Sequence, residues 1–507
     1  MVAVLPRRLF PKASTSSDHH LPTSLLTSIP LFYCHHSSDF RLPYKCKTRT
    51  NPNQTKNMEV QIIERIPISA SPPPTSSPSL TLPLSHLDTD RNLHVTFRTL
   101  RLYSKPDNSP EKDPFLVISP EVVSAALSLF FPLTGSLHCR EPGSRPEIQC
   151  TPSDSIPLIR AVTEVRLSDL ASCQPDSLFL NQLSPDLDQA DNTPLLALQI
   201  TRFSCGGFAF GMCVHHVLCD GAGANQFLGC IAHFTRGESR PVIQPLWDRT
   251  ELLGPRIPPT LHVPIDKTLI LDANVVKHGT YWNQDQCGGS RRLVKEWFDV
   301  NNKCVEKFRN RLNEEAGLGF NFTTFEALSA FIWHSRIKAS QLNSDEVVKM
   351  VYSMNISKIL DPPLPAGYWG NVCVPVYVTL TAHELTNQPL WEITAMIRDS
   401  KRYINNEYVR SYIDFQELHF AKGITAGTRV SAFTDWRRLG HSELDFGWGP
   451  PISVMPLSWK LLGSVEPCFF LPYSADDRKE NKGFKILVCL DEANLESFKK
   501  DMKIFLE

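Results

Sequence analysis

The stretch that most constrains the fold is FAFGMCVHHVLCDG, residues 208–221. Its first part, 208–214, is apolar throughout, with large side chains on one face of a strand and small ones on the other. A strand with two apolar faces is buried on both sides. The sequence therefore predicts that this strand lies inside a sheet covered on both faces. A helix is expected after Gly223, because apolar residues follow at helical spacing: Phe227, Cys230, Ile231 and Phe234.

The predicted strand ends at two histidines, His215 and His216, and Asp220 and Gly221 follow four residues later. Strand alternation turns His215 away from His216, so we interpret His215 as structural. The buried strand would aim His216, and Gly221 and Gly223 would let the chain turn sharply into the helix. A neutral imidazole has a pKa near the working pH and can take a proton from an alcohol or amine. A purely structural histidine is the alternative, and the residue types alone leave both interpretations open.

A second motif, DFGWG at 445–449, lies far along the chain. Two glycines around a tryptophan indicate a tight, packed loop, so we favour a structural role over a catalytic one for Asp445, Gly447, Trp448 and Gly449. The triplet Asp-Phe-Gly also occurs in protein kinases. The chain has neither the kinase glycine-rich loop with its following Val-Ala-Ile-Lys nor His-Arg-Asp, which excludes that class.

Composition and missing motifs exclude several other classes. The 52 Lys and Arg residues balance 53 Asp and Glu residues, which gives no reason to expect a nucleic-acid or anionic-membrane partner. The 14 cysteines form no Cys-x-x-Cys pair, which argues against a zinc ribbon or disulfide scaffold. The sequence contains no His-Glu-x-x-His, no Gly-x-Ser-x-Gly and no phosphate-binding loop, so we expect no metal site.

The length of 507 residues predicts two domains of roughly 200 residues each. We place the N-terminal domain at 58–240, a crossover at 241–290 and the C-terminal domain at 291–507. Proline density over 240–264 excludes regular helix and favours an extended link. Residues 1–57 hold eight Lys and Arg against two acidic residues and are rich in Ser, Thr and Pro. We interpret them as a disordered or non-native extension, with an organelle transit peptide as the alternative.

Periodicity and capping residues predict the remaining elements. We expect strands near 60–63, at 195–204 and 293–300 and on both sides of the polar turn 474–483. The pattern over 119–137 predicts a helix that Ser119 caps and Pro132 ends, and further helices are expected at 301–313, 323–340, 388–407 and 491–507.

The two motifs together resemble those of the plant BAHD acyltransferases. HHVLCDG and DFGWG are separated by 225 residues (445 − 220), and PLSHLDTD, FFPLTGSL, FEALSAFIWHSRIKA and PPLPAGYWGNVC also look like family segments in the expected order. The resemblance covers 58–507. It implies an α/β fold of two pseudo-symmetric chloramphenicol-acetyltransferase-like domains, with mixed sheets, flanking helices, a long crossover loop and a channel between the domains.

The resemblance also implies roles for individual residues. His216 would be the general base that deprotonates the acceptor, and Asp220 a structural aspartate that pairs with an arginine not identified by the sequence. Thr434, two residues before a tryptophan in FTDWRRL, would donate to the developing oxyanion, with a surface-turn threonine as the alternative. Asp445 and Trp448 would hold the fold. Trp369 stands where the family more often has phenylalanine, which would reshape the acceptor pocket or merely repack it.

The implied reaction is transfer of an acyl group from an acyl-coenzyme A co-substrate to a hydroxyl or amine of a plant specialised metabolite, without a covalent acyl-enzyme or a bound cofactor. The alternatives are a carrier-protein-dependent condensation domain, which shares His-His-x-x-x-Asp-Gly, and a non-catalytic binding or regulatory protein of the same family. We expect a cytoplasmic monomer, or a plastid protein if 1–57 is a transit peptide. The coenzyme A-binding residues are not identified by the sequence.

Overall fold

The computed structural model describes residues 58–71, 79–106, 112–141, 144–187, 194–238, 243–265, 269–271, 292–422, 424–427, 429–458, 461–462, 464, 466–474 and 482–506. They belong to one compact unit, Lys56–Glu507. The predicted extension 1–57, much of the predicted crossover and most of the polar turn at 474–483 lie outside the described residues.

The strands and helices are numbered in chain order. The strands are β1 (Gln61–Ile68), β2 (Leu80–Pro83), β3 (Thr96–Tyr103), β4 (Ser136–His138), β5 (Glu147–Cys150), β6 (Ile156–Thr163), β7 (Leu196–Phe203), β8 (Phe208–His215), β9 (Ile270–Leu271), β10 (Leu293–Asn301), β11 (Val347–Asn355), β12 (Cys373–Thr381), β13 (Ile424–Thr425), β14 (Val430–Asp435), β15 (Ser453–Pro456), β16 (Glu466–Phe470) and β17 (Gly483–Asp491). The helices are α1 (Pro114–Val117), α2 (Pro120–Leu129), α3 (Leu178–Gln182), α4 (Gly221–Thr235), α5 (Arg249–Leu253), α6 (Asn302–Ala316), α7 (Thr324–Ser340), α8 (Ala382–Asn387), α9 (Leu390–Ser400), α10 (Asn406–His419) and α11 (Leu495–Met502).

The first large sheet has the order β1-β6-β7-β8-β3-β15 and places the predicted strand β8 in its interior. The large side chains of β8 pack with residues of α2 and α4. The small face lies directly under the segment after α3, because a Cβ on Gly211 would stand 2.3 Å from the carbonyl oxygen of Leu183. Large residues on one face and small ones on the other thus bury the strand on both sides, as predicted.

The second large sheet has the order β10-β17-β16-β14-β11-β12. Strand β14 runs parallel to both β11 and β16, and the other neighbouring pairs are antiparallel. Residues of α6, α7, α9 and α11 form one continuous apolar core with this sheet. Two mixed sheets with flanking helices confirm the predicted α/β class.

Strand β15 does not belong to the sheet formed by its neighbours in sequence. It pairs antiparallel with β3 of the first sheet, with Ser453 opposite Leu102. The loop 445–449 that precedes it also packs on the first sheet, where Phe446 stacks on Phe210 with ring centroids 5.1 Å apart. The predicted C-terminal domain at 291–507 therefore contributes strand β15 to the first sheet and packs the loop 445–449 on it.

Three predicted elements are wrong in detail. The helix that Ser119 caps as predicted was expected to end at Pro132 but ends at Leu129, because a 3-10 turn follows at Phe131–Thr134. The helix expected at 388–407 is broken between α9 and α10, where the Asn405 side chain accepts from the backbone N–H of Tyr408 and starts a new helix. The proline-dense stretch holds the five-residue helix α5, which fits between Pro245 and Pro255.

None of the helices in the described ranges is both long enough and apolar enough to cross a membrane.

Candidate active site

A cavity of about 450 Å³ is lined by residues of both large sheets. The first sheet contributes one face of β3, the end of β8 and the first turn of α4. The second sheet contributes the carboxyl ends of β11 and β14, which run parallel to each other. Ligands of α/β proteins bind preferentially at such carboxyl ends. The cavity is therefore the candidate active site.

His216 lies on the wall of this cavity, immediately after β8. Its backbone N–H donates to the carbonyl of Val95 at 2.9 Å, and its carbonyl accepts from Nδ2 of Asn371 at 2.9 Å. The imidazole and the Phe97 ring pack nearly perpendicular to each other, with ring centroids 5.9 Å apart. Nδ1 is buried and has no hydrogen-bond partner among the described residues. Packing and the two backbone contacts thus hold the ring in place.

The surroundings favour the neutral form of His216. Burial lowers the pKa of His216, while the charge of Asp220 and the amide of Asn371 act in the opposite direction. A histidine with a lowered pKa is uncharged at neutral pH and can accept a proton.

His215 does not line this cavity. Its Nδ1 accepts from the backbone N–H of Val217 at 3.4 Å, and its ring packs against His94 with centroids 5.0 Å apart. Burial and the two neighbouring histidines lower the pKa of His215 to about 3. These contacts match the structural role that strand alternation predicts.

Asp220 caps helix α4, and this overturns the predicted arginine pair. Its Oδ1 accepts from the backbone N–H groups of Ala222 and Gly223, each at 3.0 Å, and its Oδ2 accepts from the N–H of Val372 at 3.1 Å. No arginine in the described ranges lies within ion-pair distance of this carboxylate. The side chain instead joins the start of α4 to the chain just before β12.

Gly221 and Gly223 are both inside α4, so they do not form the predicted turn before the helix. Gly223 is required for space, since a Cβ there would stand 2.7 Å from the Cβ of Cys219. The carbonyl of Gly223 accepts from the indole N–H of Trp369 at 2.9 Å. Trp369 is buried between aromatic neighbours and does not line the cavity, so of the two predicted effects the structure shows repacking.

A buried ion pair that the sequence analysis missed holds the loop that carries His216. Asp88 and Arg249 meet at 3.1 Å, with 0% and 2% of their side-chain surfaces exposed. Arg249 also donates to the carbonyl of Leu218 at 2.7 Å. Asp88 accepts from the backbone and side-chain nitrogens of Asn371 at 2.8 and 3.0 Å. The PLSHLDTD segment that contains Asp88 was noted, but no pattern within it identifies a partner 161 residues away.

Thr434 lies on the cavity wall contributed by the second sheet. It is the penultimate residue of β14, and its side chain is partly buried. Its hydroxyl makes no hydrogen bond to a described residue and is therefore free to donate to a bound molecule. The structure thus brings Thr434 and His216 to the same cavity from two different sheets.

The residues of the DFGWG loop lie away from this cavity. One carboxylate oxygen of Asp445 accepts from the N–H groups of Gly447 and Gly449 at 2.6 and 2.8 Å. Both glycines have positive φ, 92° and 85°, which favours residues without a side chain. Trp448 packs edge-on against Phe208. The loop is thus a hydrogen-bonded turn that packs on the first sheet.

The cavity chemistry suits direct proton transfer more than covalent catalysis. Cys219 and Cys373 also line the cavity, but burial raises the pKa of each thiol far above neutral pH. Only the thiolate is a good nucleophile. A neutral imidazole and a free hydroxyl in a mainly apolar cavity can together remove a proton and stabilise a developing oxyanion.

Comparison with known families gives a match over nearly all of the described chain. The family model described as "Transferase family" matches residues 58–505. The chain is 32% identical to 3'-N-debenzoyl-2'-deoxytaxol N-benzoyltransferase of Taxus canadensis, over 86% of this chain and 94% of that protein. It is 28% identical to spermidine sinapoyl-CoA acyltransferase of Arabidopsis thaliana, over 87% of this chain and 97% of that protein.

Solved structures share the fold at lower identity. Vinorine synthase matches with a TM-score of 0.65 and 19% identity, over 89% of this chain and 99% of that chain. TRI101 of F. sporotrichioides, complexed with coenzyme A and T-2, matches with a TM-score of 0.66 and 16% identity, over 83% and 98%. A condensation domain of the CDA synthetase matches at 0.54 and 12%, over 85% and 97%. These likenesses confirm the predicted fold class, and because a condensation domain shares it, the fold does not separate the two enzyme alternatives.

Replacement of Asp220 by alanine is expected to destabilise the protein by about 2–4 kcal/mol, because a helix cap and the acceptor for a buried N–H are lost together. The matched control is Asn301→Ala, which removes the cap of α6, a helix of the same 15-residue length. That change removes a cap only and should cost about 1 kcal/mol. Urea unfolding of both variants measures the difference. Equal losses would mean that the contact to Val372 contributes nothing.

Proposed function

Because the chain belongs to the transferase family that contains the plant BAHD acyltransferases, we propose that it moves an acyl group from a coenzyme A thioester to a hydroxyl or amine of a small plant metabolite. The observation that carries the proposal is the convergence of His216 and Thr434, from two sheets, on one cavity. The family excludes the condensation-domain alternative, which the fold alone leaves open. Relatives named for N-acylation and for O-acylation both match the chain, so either acceptor atom fits the proposal.

The proposed reaction needs one base and one oxyanion donor. Nε2 of His216 takes the proton of the acceptor hydroxyl or amine as the acceptor oxygen or nitrogen attacks the thioester carbonyl. The carbonyl oxygen becomes an oxyanion, to which the Thr434 hydroxyl donates. As the tetrahedral species collapses, the carbon–sulfur bond breaks and the proton passes from the imidazolium to the departing sulfur. The products are the acylated acceptor and coenzyme A with a free thiol.

The raised thiol pKa values support direct transfer. An acyl-enzyme on a cysteine would require Cys219 or Cys373 to ionise in surroundings that hold both as neutral thiols. The cytoplasmic location and the monomeric state expected from the sequence stay predictions.

The decisive assay is acceptor-dependent release of free thiol from a panel of acyl-coenzyme A donors, with plant alcohols and amines as acceptors and mass spectrometry of the products. His216→Ala should remain folded and lose turnover by roughly 10²–10⁴-fold, the usual contribution of a positioned base. The matched control is His215→Asn, whose amide oxygen can still accept from Val217, and it should keep most of the turnover. Binding without turnover across the panel would favour the non-catalytic alternative. A folded His216→Ala variant with near-normal turnover would exclude the base.

The pH profile should show the lowered pKa of His216. As a base, His216 works in its neutral form, so kcat/KM should fall as the pH drops through the pKa of the free enzyme. Since burial lowers this pKa from its ordinary value of 6.5, the acidic limb should have its midpoint below pH 6.5. If the parent enzyme shows a midpoint above pH 6.5 that disappears in His216→Ala, the pKa of His216 is raised and not lowered, which would contradict this prediction. The assay uses acyl-coenzyme A donors whose acyl group does not ionise, so that the acyl group adds no titration of its own to the pH profile.

Thr434→Val should reduce turnover by about 10²–10³-fold, as loss of one oxyanion donor does, and leave acyl-coenzyme A affinity nearly unchanged. Thr434→Ser retains the hydroxyl and serves as the control, so it should recover most of the turnover. Single-turnover rates and equilibrium binding of the donor separate the two effects. A loss of affinity alone would make Thr434 a binding residue.

A further inference from the structure

One face of β3 continues the cavity wall beyond His216. Phe97, Thr99 and Arg101 alternate along this face and all line the cavity. Phe97 contacts the His216 ring, and Arg101 stands two alternations further along the strand. The side chain of Arg101 is fully buried and bends back, with one terminal nitrogen donating to the hydroxyl of Thr99 at 3.1 Å.

Arg101 carries a buried charge without a counter-ion. Its other terminal nitrogen contacts Nδ1 of His441 at 3.0 Å, and its Nε has no hydrogen-bond partner among the residues that the structure describes. Within the described ranges, no carboxylate lies within ion-pair distance of this guanidinium. Burial lowers the pKa of Arg101 to about 10, which still leaves it charged at neutral pH. An unpaired buried charge is costly unless a ligand compensates it.

The other charged side chains on the cavity wall are compensated. Lys401 pairs with Glu326 at 2.6 Å. Asp435 accepts from both Nε and a terminal nitrogen of Arg437. Asp90 is held by four donors from asparagine, tyrosine and glutamine residues, and Asp220 by backbone N–H groups. Among the described charged side chains that line this cavity, Arg101 differs in having a buried nitrogen, Nε, without a hydrogen-bond partner.

His441 supplies a second unpaired donor at the same place. Arginine can only donate, so Nδ1 of His441 accepts from Arg101 and the ring proton lies on Nε2. Nδ1 also lies 3.1 Å from Oδ1 of Asn225. Because two acceptors cannot hydrogen-bond to each other, the Asn225 amide is assigned with its oxygen and nitrogen exchanged, so that its N–H group donates to Nδ1. Nε2 is buried, has no hydrogen-bond partner in the part of the chain that the structure describes, and would lie 3.9 Å from a Cβ on Gly221. Burial and the Arg101 charge hold the pKa of His441 well below its ordinary value, so the ring is neutral.

We propose that Arg101 and His441 bind a carboxylate of the substrate, in a subsite on the cavity wall beyond His216. Unpaired N–H groups on a guanidinium and a neutral imidazole match the oxygens of a planar carboxylate, which guanidinium groups bind with two parallel hydrogen bonds. The carboxylate belongs either to a dicarboxylic acyl group on coenzyme A or to an acceptor that is a hydroxy or amino acid.

The spacing limits the size of the molecule. Each alternation along a strand spans about 7 Å, and the Arg101 guanidinium bends back to the level of Thr99, one alternation beyond the residue that contacts His216. The carboxylate would thus lie on the order of 10 Å from the reacting atoms, given this spacing and the width of the side chains. An extended dicarboxylic acyl chain of about eight carbons, or a hydroxy or amino acid of similar length with its two groups at opposite ends, spans that distance.

The test compares molecules that differ only in the carboxylate. Suberoyl-coenzyme A and octanoyl-coenzyme A form the donor pair, and 8-hydroxyoctanoate and its methyl ester form the acceptor pair. Affinity is measured on the full chain by thermal shift and calorimetry, and turnover by thiol release. In the parent protein, one pair should show a preference of at least about 10-fold for its carboxylate member, as expected when a charge-assisted pair is lost. The pair that shows it identifies the source of the carboxylate.

Arg101→Gln should abolish that preference, and Arg101→Lys should keep part of it because the charge remains. The matched control is Arg202→Gln, a change to an arginine of the same sheet that pairs with Asp113 and lies outside the cavity lining, and it should keep the full preference. Because Arg101 lacks a counter-ion, Arg101→Gln should unfold no more than a few degrees below the parent.

Three results would overturn the subsite. The first is a parent protein with no preference in either pair, a measurement that needs no variant. The second is an Arg101→Gln variant that keeps the preference. The third is an equal loss of affinity for both donors in Arg101→Gln, which would assign the arginine to a group common to them, such as a coenzyme A phosphate. The proposal rests on the proposed acyl transfer, but the binding measurements stand without turnover. Selective binding without thiol release would therefore count against the proposed function and not against the subsite.

Discussion

The buried contact between Asp88 and Arg249 is the interaction on which the geometry of the site depends. Two charges removed from water are tolerated only when their remaining hydrogen-bonding capacity is also satisfied. Asp88 meets this condition through Ser85 and Asn371, and Arg249 through the carbonyls of Leu218 and Trp369. Four distant parts of the chain therefore meet at one point. In the loop after β8, the carbonyl of Leu218 accepts from Arg249 and the carbonyl of His216 accepts from Asn371. These contacts fix the backbone of the loop and thereby the orientation of His216.

A second constraint relates the wall that carries Thr434 to the wall that carries His216. The segment that leaves β14 in the second sheet returns as β15 in the first. Between the two strands, Trp436 packs 6.0 Å from Phe97, and Phe446 stacks on Phe210. Strand pairing holds both ends of the segment, and aromatic contacts hold its middle. The DFGWG loop is thus part of the segment that connects the two walls, although it does not line the cavity itself.

The sequence predicted what local pattern determines and missed what long-range partners determine. A strand with one large and one small apolar face can be recognised because the pattern lies in consecutive residues. Strand β8 was therefore predicted with nearly correct bounds. The partner of Asp220 was wrong because helix capping, a contact to residues two and three positions away, satisfies the carboxylate before any arginine is needed. The break between α9 and α10 was missed because apolar periodicity resumes across it.

Other features of the site have no local signal at all. Asp88, Arg249 and Asn371 lie in three separate segments, and nothing in any one segment predicts the other two. The convergence of Thr434 with His216 was expected only from resemblance to a family, since strand order decides which side chains share a cavity. Single-sequence reasoning reaches residue types and elements, and tertiary pairing requires the fold.

Burial on the cavity wall determines which reactive groups are charged at neutral pH. Removal from water disfavours every ionised form, so it lowers the pKa of a histidine and raises the pKa of a thiol. The same cavity therefore turns His216 into a neutral base and keeps Cys219 and Cys373 as inert thiols. One physical effect favours direct attack by the acceptor over an acyl-enzyme. Burial also lowers the pKa of the Arg101 guanidinium, but only to about 10, so Arg101 remains charged at neutral pH. A bound anion would compensate this charge on the cavity wall.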